Sequence, residues 1–417
     1  MSSHIINVCI YEDSVAHSLS PLTTLRPTFD LLVGIDSLYD KVYRYFNYGN
    51  ITLHCREELK STVKERHPDH LLNSINTGTA CLFINGRTIL SKELYATLSE
   101  VDNEHNYLFT HQGHVVACYL RSDLLDTMKK ALNGTPSSKE LIQAFRTSCV
   151  TKEIESALMI NTIWDALNLN QDVIRMDFNY KEVRGIVKGN IDPFASIKNE
   201  HNVFVDKNAE IEDFVLIDAS KGPVYIEENV YIQSHTRLEG PLYIGKDTHI
   251  LGGRIRQSSI GPNCKVAGEV SNSIFHSHSN KAHSGFVGNS YVGQWVNLGA
   301  GTTTSNLKSN YSNIILQKGD AKIETQQLFL GAIIGDHVKT SIGTNLNTGT
   351  IIETGSVLFD AGFHDKYIPP FSWGSPKSYS RHDQDKFIQT AKIMMQRRNI
   401  ELSDAQTHLL DHRYKTS

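Results

Sequence analysis

One histidine, His283, stands in a polar run that a packed core would not require. The run begins Asn280-Lys281-Ala282-His283-Ser284-Gly285-Phe286, passes through Asn297-Leu298-Gly299-Ala300-Gly301-Thr302 and ends at Asn306. Moving an acetyl group from a thioester to an amine needs a base for the amine proton. It also needs donors for the oxyanion of the tetrahedral intermediate. Histidine is the usual base near neutral pH, and backbone N–H groups or asparagine amides are the usual donors. Small residues let a long, thin pantetheine arm lie against the chain. All three ingredients fall between residues 283 and 306. Two other readings compete. His276, His278 and His283 are close enough in sequence to suggest a metal centre, and Asn297 and Asn306 suit a purely structural asparagine ladder between turns.

The elements that must carry this run have an unusual rhythm. Aliphatic residues recur every six positions: Ile226, Ile232, Leu238, Ile244 and Ile250; Ile260 and Val266; Val292 and Leu298; then Ile334, Thr340, Leu346, Ile352 and Leu358, with one threonine in the series. A period of six fits neither an α-helix nor a flat strand. It is the signature of a hexapeptide β-helix, a triangular prism in which about 18 residues close one coil and each aliphatic side chain points inward. Periodicity specifies the scaffold and leaves its activity open. Ile368-Pro369-Pro370 is expected to end the prism, because consecutive prolines cannot continue a ladder. In the tail, Phe387, Ile388, Ala391, Met394 and Met395 fall on one helical face, and Ser403 with Gln406 forms a capping box for a last helix.

Before residue 200 the texture is α/β. Residues 5–10, 51–53, 81–84, 107–110 and 115–120 read as strands, and residues 31–46, 91–98, 124–132 and 139–147 read as helices. Alternation of this kind predicts a largely parallel, Rossmann-like sheet. The expected organisation is an α/β domain over residues 1–190, a β-helix domain over 200–370 and a helical tail over 371–417.

Bulk properties narrow the partners. A formal charge of −4 over 417 residues argues against nucleic acid or an anionic membrane surface. No run approaches the roughly 20 apolar residues needed to cross a bilayer, and no signal peptide is evident. The six cysteines have no CxxC spacing, so reduced thiols and a cytoplasmic location are expected.

With those residues in view, the stretch from Asn280 to Asn306 resembles the acetyltransferase domain of the bifunctional bacterial enzyme that makes UDP-N-acetylglucosamine (GlmU), and it resembles the alternate GlmU-like family of sugar nucleotidyltransferases more closely still. The resemblance rests on Lys281-Ala282-His283, on Asn297-Leu298-Gly299-Ala300-Gly301-Thr302, on Asn306 and on Ile368-Pro-Pro-Phe-Ser-Trp-Gly374. It implies a left-handed prism and an acetyl-CoA-dependent N-acetyltransferase acting on an amino-sugar phosphate of the glucosamine-1-phosphate type, with nucleotidyl transfer as a second activity. His283 would be the base. Asn297, Asn306 and Lys281 would bind the amino sugar, with Arg254 or Arg256 on its phosphate, since Ser271 stands where the family has a basic residue. Ala300, Gly301, Ala332 and Thr350 would line the path of acetyl-CoA. Phe286 replaces the family's tyrosine and removes a hydroxyl. β-Helix acyltransferases form trimers, so a homotrimer is expected. The alternatives are a metalloenzyme of carbonic-anhydrase type on the same scaffold and a non-catalytic nucleotide-sugar-binding scaffold.

The start of the chain bears a weaker resemblance. Ser18-Leu-Ser-Pro21-Leu-Thr-Thr-Leu-Arg26-Pro27 is similar to the phosphate-binding segment of sugar-phosphate nucleotidyltransferases, which cradles nucleotide phosphates with backbone N–H groups. The glycines of that loop are absent from residues 11–17. The family's Gly-Asp element, whose carboxylate holds Mg²⁺, becomes Asn85-Gly86-Arg87, and an arginine cannot ligate magnesium. Mg²⁺ is therefore expected only if this domain is active. Arg26 and Arg87 are the candidate phosphate ligands, and Asp13 is a lone metal candidate.

Overall fold

The computed structural model describes residues 7–47, 49–75 and 78–417. The chain forms two compact units, one of residues 1–31 and 36–165, the other of residues 32–35 and 166–417.

The first unit is built on a seven-stranded sheet in the order Val150–Glu153, Tyr107–His111, His114–Leu120, Cys81–Asn85, Asn7–Tyr11, Asn50–His54, Leu71–Leu72. All neighbours are parallel except those of His114–Leu120, which runs against both of its partners. The strands read as apolar runs because both faces are covered. Cys9, Tyr11, Phe83, Leu108 and Cys118 pack with Leu125, Met128, Leu141 and Phe145 from the helices Ser122–Leu132 and Ser138–Phe145. Of the strand expected over residues 5–10, positions 5 and 6 lie outside the described residues. The helix expected over 31–46 is corrected: it starts only at Leu38 and runs to Phe46. Ser37 and Asp40 form a reciprocal capping box there, which fixes the start, and before it two short strands, Leu32–Val33 and Asp36–Ser37, flank a turn at Gly34.

In the second unit three parallel sheet faces stack coil on coil. The first face runs from Asn190–Ile191 to Ser372–Ser375, the third from Val203–Val205 to Tyr367–Ile368, and the second carries strands such as Thr236–Glu239 and Phe286–Gly288 between them. The six-residue series does point inward. Ile226, Ile232, Leu238, Ile244, Ile250, Ile260, Val266 and Val292 are fully buried in one continuous core with Leu298, Ile334, Leu346, Ile352 and Leu358. Each such side chain contributes roughly 1.5–3 kcal/mol of apolar burial, so the stacked coils stabilise one another and no single hexad suffices. The ladder continues past Pro369 and Pro370, contrary to expectation: Val357 pairs with Trp373 and Leu358 with Gly374. The prolines occupy the corner between faces, where no ladder N–H is needed.

The helix Asp165–Lys181, unanticipated in the sequence, belongs to this second unit from Ala166 onward. Its buried polar residues clamp the segment 32–35. The Asn170 Oδ1 accepts from the Gly34 N–H (2.8 Å) and the Asp177 Oδ2 from the Ile35 N–H (2.9 Å). Ser259 and Tyr291 of the third face donate to the Gly34 and Leu32 carbonyls. Gly34 has φ +78°, and a Cβ there would stand 2.5 Å from Asp177 Oδ2, so only glycine fits. In the tail, Gln384–Gln396 buries Phe387, Ala391 and Met395, and Asp404–Thr416 begins at the Ser403–Gln406 capping box.

Candidate active site

His283 sits on a corner turn between the first and second faces. The paired positions define the turn. Val266 faces Lys281 and Glu269 faces Phe286 in successive coils, so residues 282–285 occupy a corner that the coil before fills with 267–268 only. Four residues is also the corner length at 233–236 and 299–302, so the preceding corner is two residues short, and His283 and Ser284 are exposed on the full-length one. In the next coil the corner is residues 299–302, and the Gly301 N–H donates to the Ser284 carbonyl at 3.0 Å. Ala300 and Gly301 are half-buried beside the histidine turn.

The other candidate residues divide. Asn297 lies half-buried on the first face, paired in register with Asn280. Asn280 donates weakly to its Oδ1 (3.4 Å) and accepts from Arg398 at 2.6 Å. These residues line a cleft of about 520 Å³ with Lys265, Lys339, Arg397 and Arg398, against the helix Gln384–Gln396. Four cations and no carboxylate line it, and burial pushes the Lys339 ammonium down to about 8. The sequence reading missed this cleft, because its cations lie on three separate stretches of chain. The one local signal was Lys265 and Lys339 each standing just before an inward hexad residue. Asn306 is elsewhere, at the corner between the second and third faces, where it donates to Asn289 at 2.8 Å. The ring of Phe286 lies over Gly288, close to the Asn306 amide.

Four expectations are corrected. Lys281 is 1 % exposed and occupies an inward ladder position, so it does not reach a sugar. Ala332 and Thr350 are paired on adjacent coils but both are fully buried, facing the core; inward alternation on the third face takes their side chains away from any cofactor path. Arg254 is held by Glu239 through two hydrogen bonds (2.8 and 3.2 Å), and Arg256 faces Ser271 and Glu269, so acidic neighbours already neutralise the basic pair. The three histidines of the metal alternative also do not gather within the one chain. His278 is stacked on Trp295 (4.4 Å) and hydrogen-bonded to Ser277, and among the described residues no three His, Cys, Asp or Glu side chains gather to hold an ion.

These features set the chain beside known proteins. The profile of a sugar nucleotidyl transferase family matches residues 8–184. The bifunctional protein GlmU of Methanococcus vannielii is 28 % identical over 385 residues, which is 79 % of this chain and 81 % of the relative. GlmU of Methanococcus aeolicus is 25 % identical over 317 residues, 66 % of this chain and 69 % of that one. A bifunctional sugar-1-phosphate nucleotidylyltransferase/acetyltransferase of Sulfurisphaera tokodaii is 34 % identical over 161 residues, 36 % of this chain and 38 % of that one. The chain is similar to the GlmU-like family along most of its length.

The first unit of this GlmU-like chain carries the nucleotidyltransferase-like fold with an altered site. Asp13 follows the central strand Asn7–Tyr11. The Arg87 guanidinium donates to both of its oxygens (2.9 and 3.0 Å) and Asn85 adds a third donor at 2.8 Å. Both members of the pair are fully buried, and Arg87 also reaches Asn161 and His114. The residues present do not fit a magnesium site, because the one carboxylate suited to it is taken by a cation of the chain itself. Arg87 is thus corrected from a phosphate ligand to an internal counter-ion. Arg26 is corrected as well: it is 1 % exposed and donates to the Leu22 carbonyl at 3.0 Å. The Glu12–Arg56 pair, also buried, ties the segment in place through the Thr28 N–H and the Thr23 and Arg26 carbonyls.

Proposed function

We propose that this GlmU-like transferase moves an acetyl group from acetyl-CoA to the amine of an amino-sugar phosphate of the glucosamine-1-phosphate type, with His283 as general base. The observation that carries the reading is the exposed imidazole on a corner turn that follows a corner two residues shorter, in a chain whose relatives named bifunctional GlmU cover most of its length. In the reaction, the amine nitrogen attacks the thioester carbonyl while His283 takes its proton. Backbone N–H groups of the glycine-rich turns stabilise the oxyanion. The intermediate collapses with loss of the CoA thiolate, which receives a proton, so no acyl-enzyme forms. Ala300 and Gly301 border the acetyl group. Asn297 and the cations of the cleft, Lys265, Lys339, Arg397 and Arg398, receive the phosphate-bearing parts of the substrates. The molecule works as a homotrimer.

Nucleotidyl transfer is the second activity carried in the names of the relatives. The Asp13–Arg87 pair supports the narrower reading that acetyl transfer is the working half. Mass spectrometry of products from acetyl-CoA, UTP and a panel of amino-sugar phosphates tests both. An N-acetylated sugar phosphate that disappears with His283→Ala is the expected result. No acetylation of any amino sugar overturns the proposal, and pyrophosphate release from UTP overturns the narrower reading.

A further inference from the structure

Lys281 breaks the rule of its row. The inward positions of the first face run Ile211, Ile232, Ile250 and Val266 before it, and Leu298, Thr340 and Leu358 after it. A cation in that row carries a desolvation cost unless its donors are used. They are used: Nζ donates to the Ala267 carbonyl at 2.7 Å and to the His283 carbonyl at 2.8 Å. Ala267 lies in the two-residue corner and His283 in the four-residue corner that follows it. The earlier corner is two residues short, and the ammonium bridges it to the full-length corner that follows. The site is shaped for that group. Gly268 has φ +77°, and a Cβ there would stand 2.9 Å from Lys281 Nζ and 3.1 Å from the His283 carbonyl. Burial pushes the ammonium down to about 8.

We infer that Lys281 is a positioning residue: from inside the prism it holds the peptide of His283 and so fixes the turn that presents the imidazole. The inference rests on the acetyl-transfer reading for its consequence, though the hold on the turn is a separate physical claim. Lys281 touches neither substrate nor the reacting atoms. Methionine in its place keeps the length of the side chain, removes the charge that must be desolvated and leaves two carbonyls unpaired. Glutamine keeps one donor.

The test uses the full chain with Lys281→Met and Lys281→Gln and two readouts. The first is amide exchange at Glu269 and Gly301, which donate to the Gly285 and Ser284 carbonyls of the turn. Exchange there is expected to quicken at least tenfold in Lys281→Met and less in Lys281→Gln, with the coils of residues 203–250 unchanged. The second is steady-state acetyl transfer: kcat is expected to fall 10- to 100-fold, graded in the same order, with KM for acetyl-CoA within twofold of wild type. A general loss of structure would instead quicken exchange throughout the prism. If one variant fails to fold, the other supplies both readouts. Unchanged exchange at Glu269 and Gly301, or unchanged kcat in a chain whose wild type acetylates, overturns the inference. If the wild type acetylates nothing, the functional proposal fails and amide exchange alone decides the role of Lys281.

Discussion

The two units use buried charge in opposite ways. In the first, Asp13 and Arg87 meet fully buried and satisfy each other, so the carboxylate is spent on the fold and does not face a ligand. In the second, the buried cation Lys281 meets only backbone carbonyls, and its work is to hold an exposed neighbour, His283, in place. A buried ion pair closes a site, because removing either partner strands the other. A buried cation bonded to turn carbonyls leaves the adjacent side chain free for chemistry.

The contrast can be broken most sharply at His283. His283→Ala should lower kcat for acetyl transfer by roughly 10²–10⁴-fold, as expected for loss of a general base, with an unchanged melting curve because the side chain is exposed. A smaller loss in product formation would remove the imidazole from the mechanism. Next in size, Arg87→Ala should cost the first unit about 3–5 kcal/mol, the usual result of leaving a buried carboxylate without its partner. Urea unfolding followed by probes in each unit should show the loss in the first unit alone, and an unchanged midpoint would mean that Asp13 is not the buried charge described here.

The pH dependence sharpens the comparison. Lys281 is held at about 8 in the folded chain against about 10.4 unfolded, so between those values the unfolded state binds more protons. The penalty for burying the ammonium is therefore present below pH 8 and is relieved as pH rises towards 10.4. The stability of wild type minus that of Lys281→Met should increase from pH 8 to pH 10. Taking the difference cancels the opposing contribution of groups common to both proteins, such as Cys264, which burial pushes up to about 12. A flat difference curve would mean that the ammonium is not desolvated. The smallest expected effect is that of Phe286→Tyr, which should change KM for the sugar phosphate by less than tenfold with KM for acetyl-CoA unchanged. A change confined to the acetyl-CoA term would move Phe286 out of the sugar's surroundings.

The amino-acid sequence by itself determined the prism, because a six-residue period of aliphatics can be buried only by coils of that pitch, and Ile226 through Leu358 all face inward as the spacing requires. It also determined which segment is chemically distinctive, since polar and small residues around His283 interrupt that period. Only the tertiary structure decided which way each polar residue faces. Lys281, expected to bind the amino sugar, proves internal, because the inward position is counted from the register of neighbouring coils, which turn lengths set. Ala332 and Thr350 turn inward for the same reason. Arg87 and Asp13 are 74 positions apart, so their pairing depends on adjacent strands that local propensity does not specify. The cationic cleft gathers Lys265, Lys339, Arg397 and Arg398 from three stretches of chain. Periodicity records burial along one element; charge pairing and cleft formation depend on elements distant in sequence, and only packing brings these together.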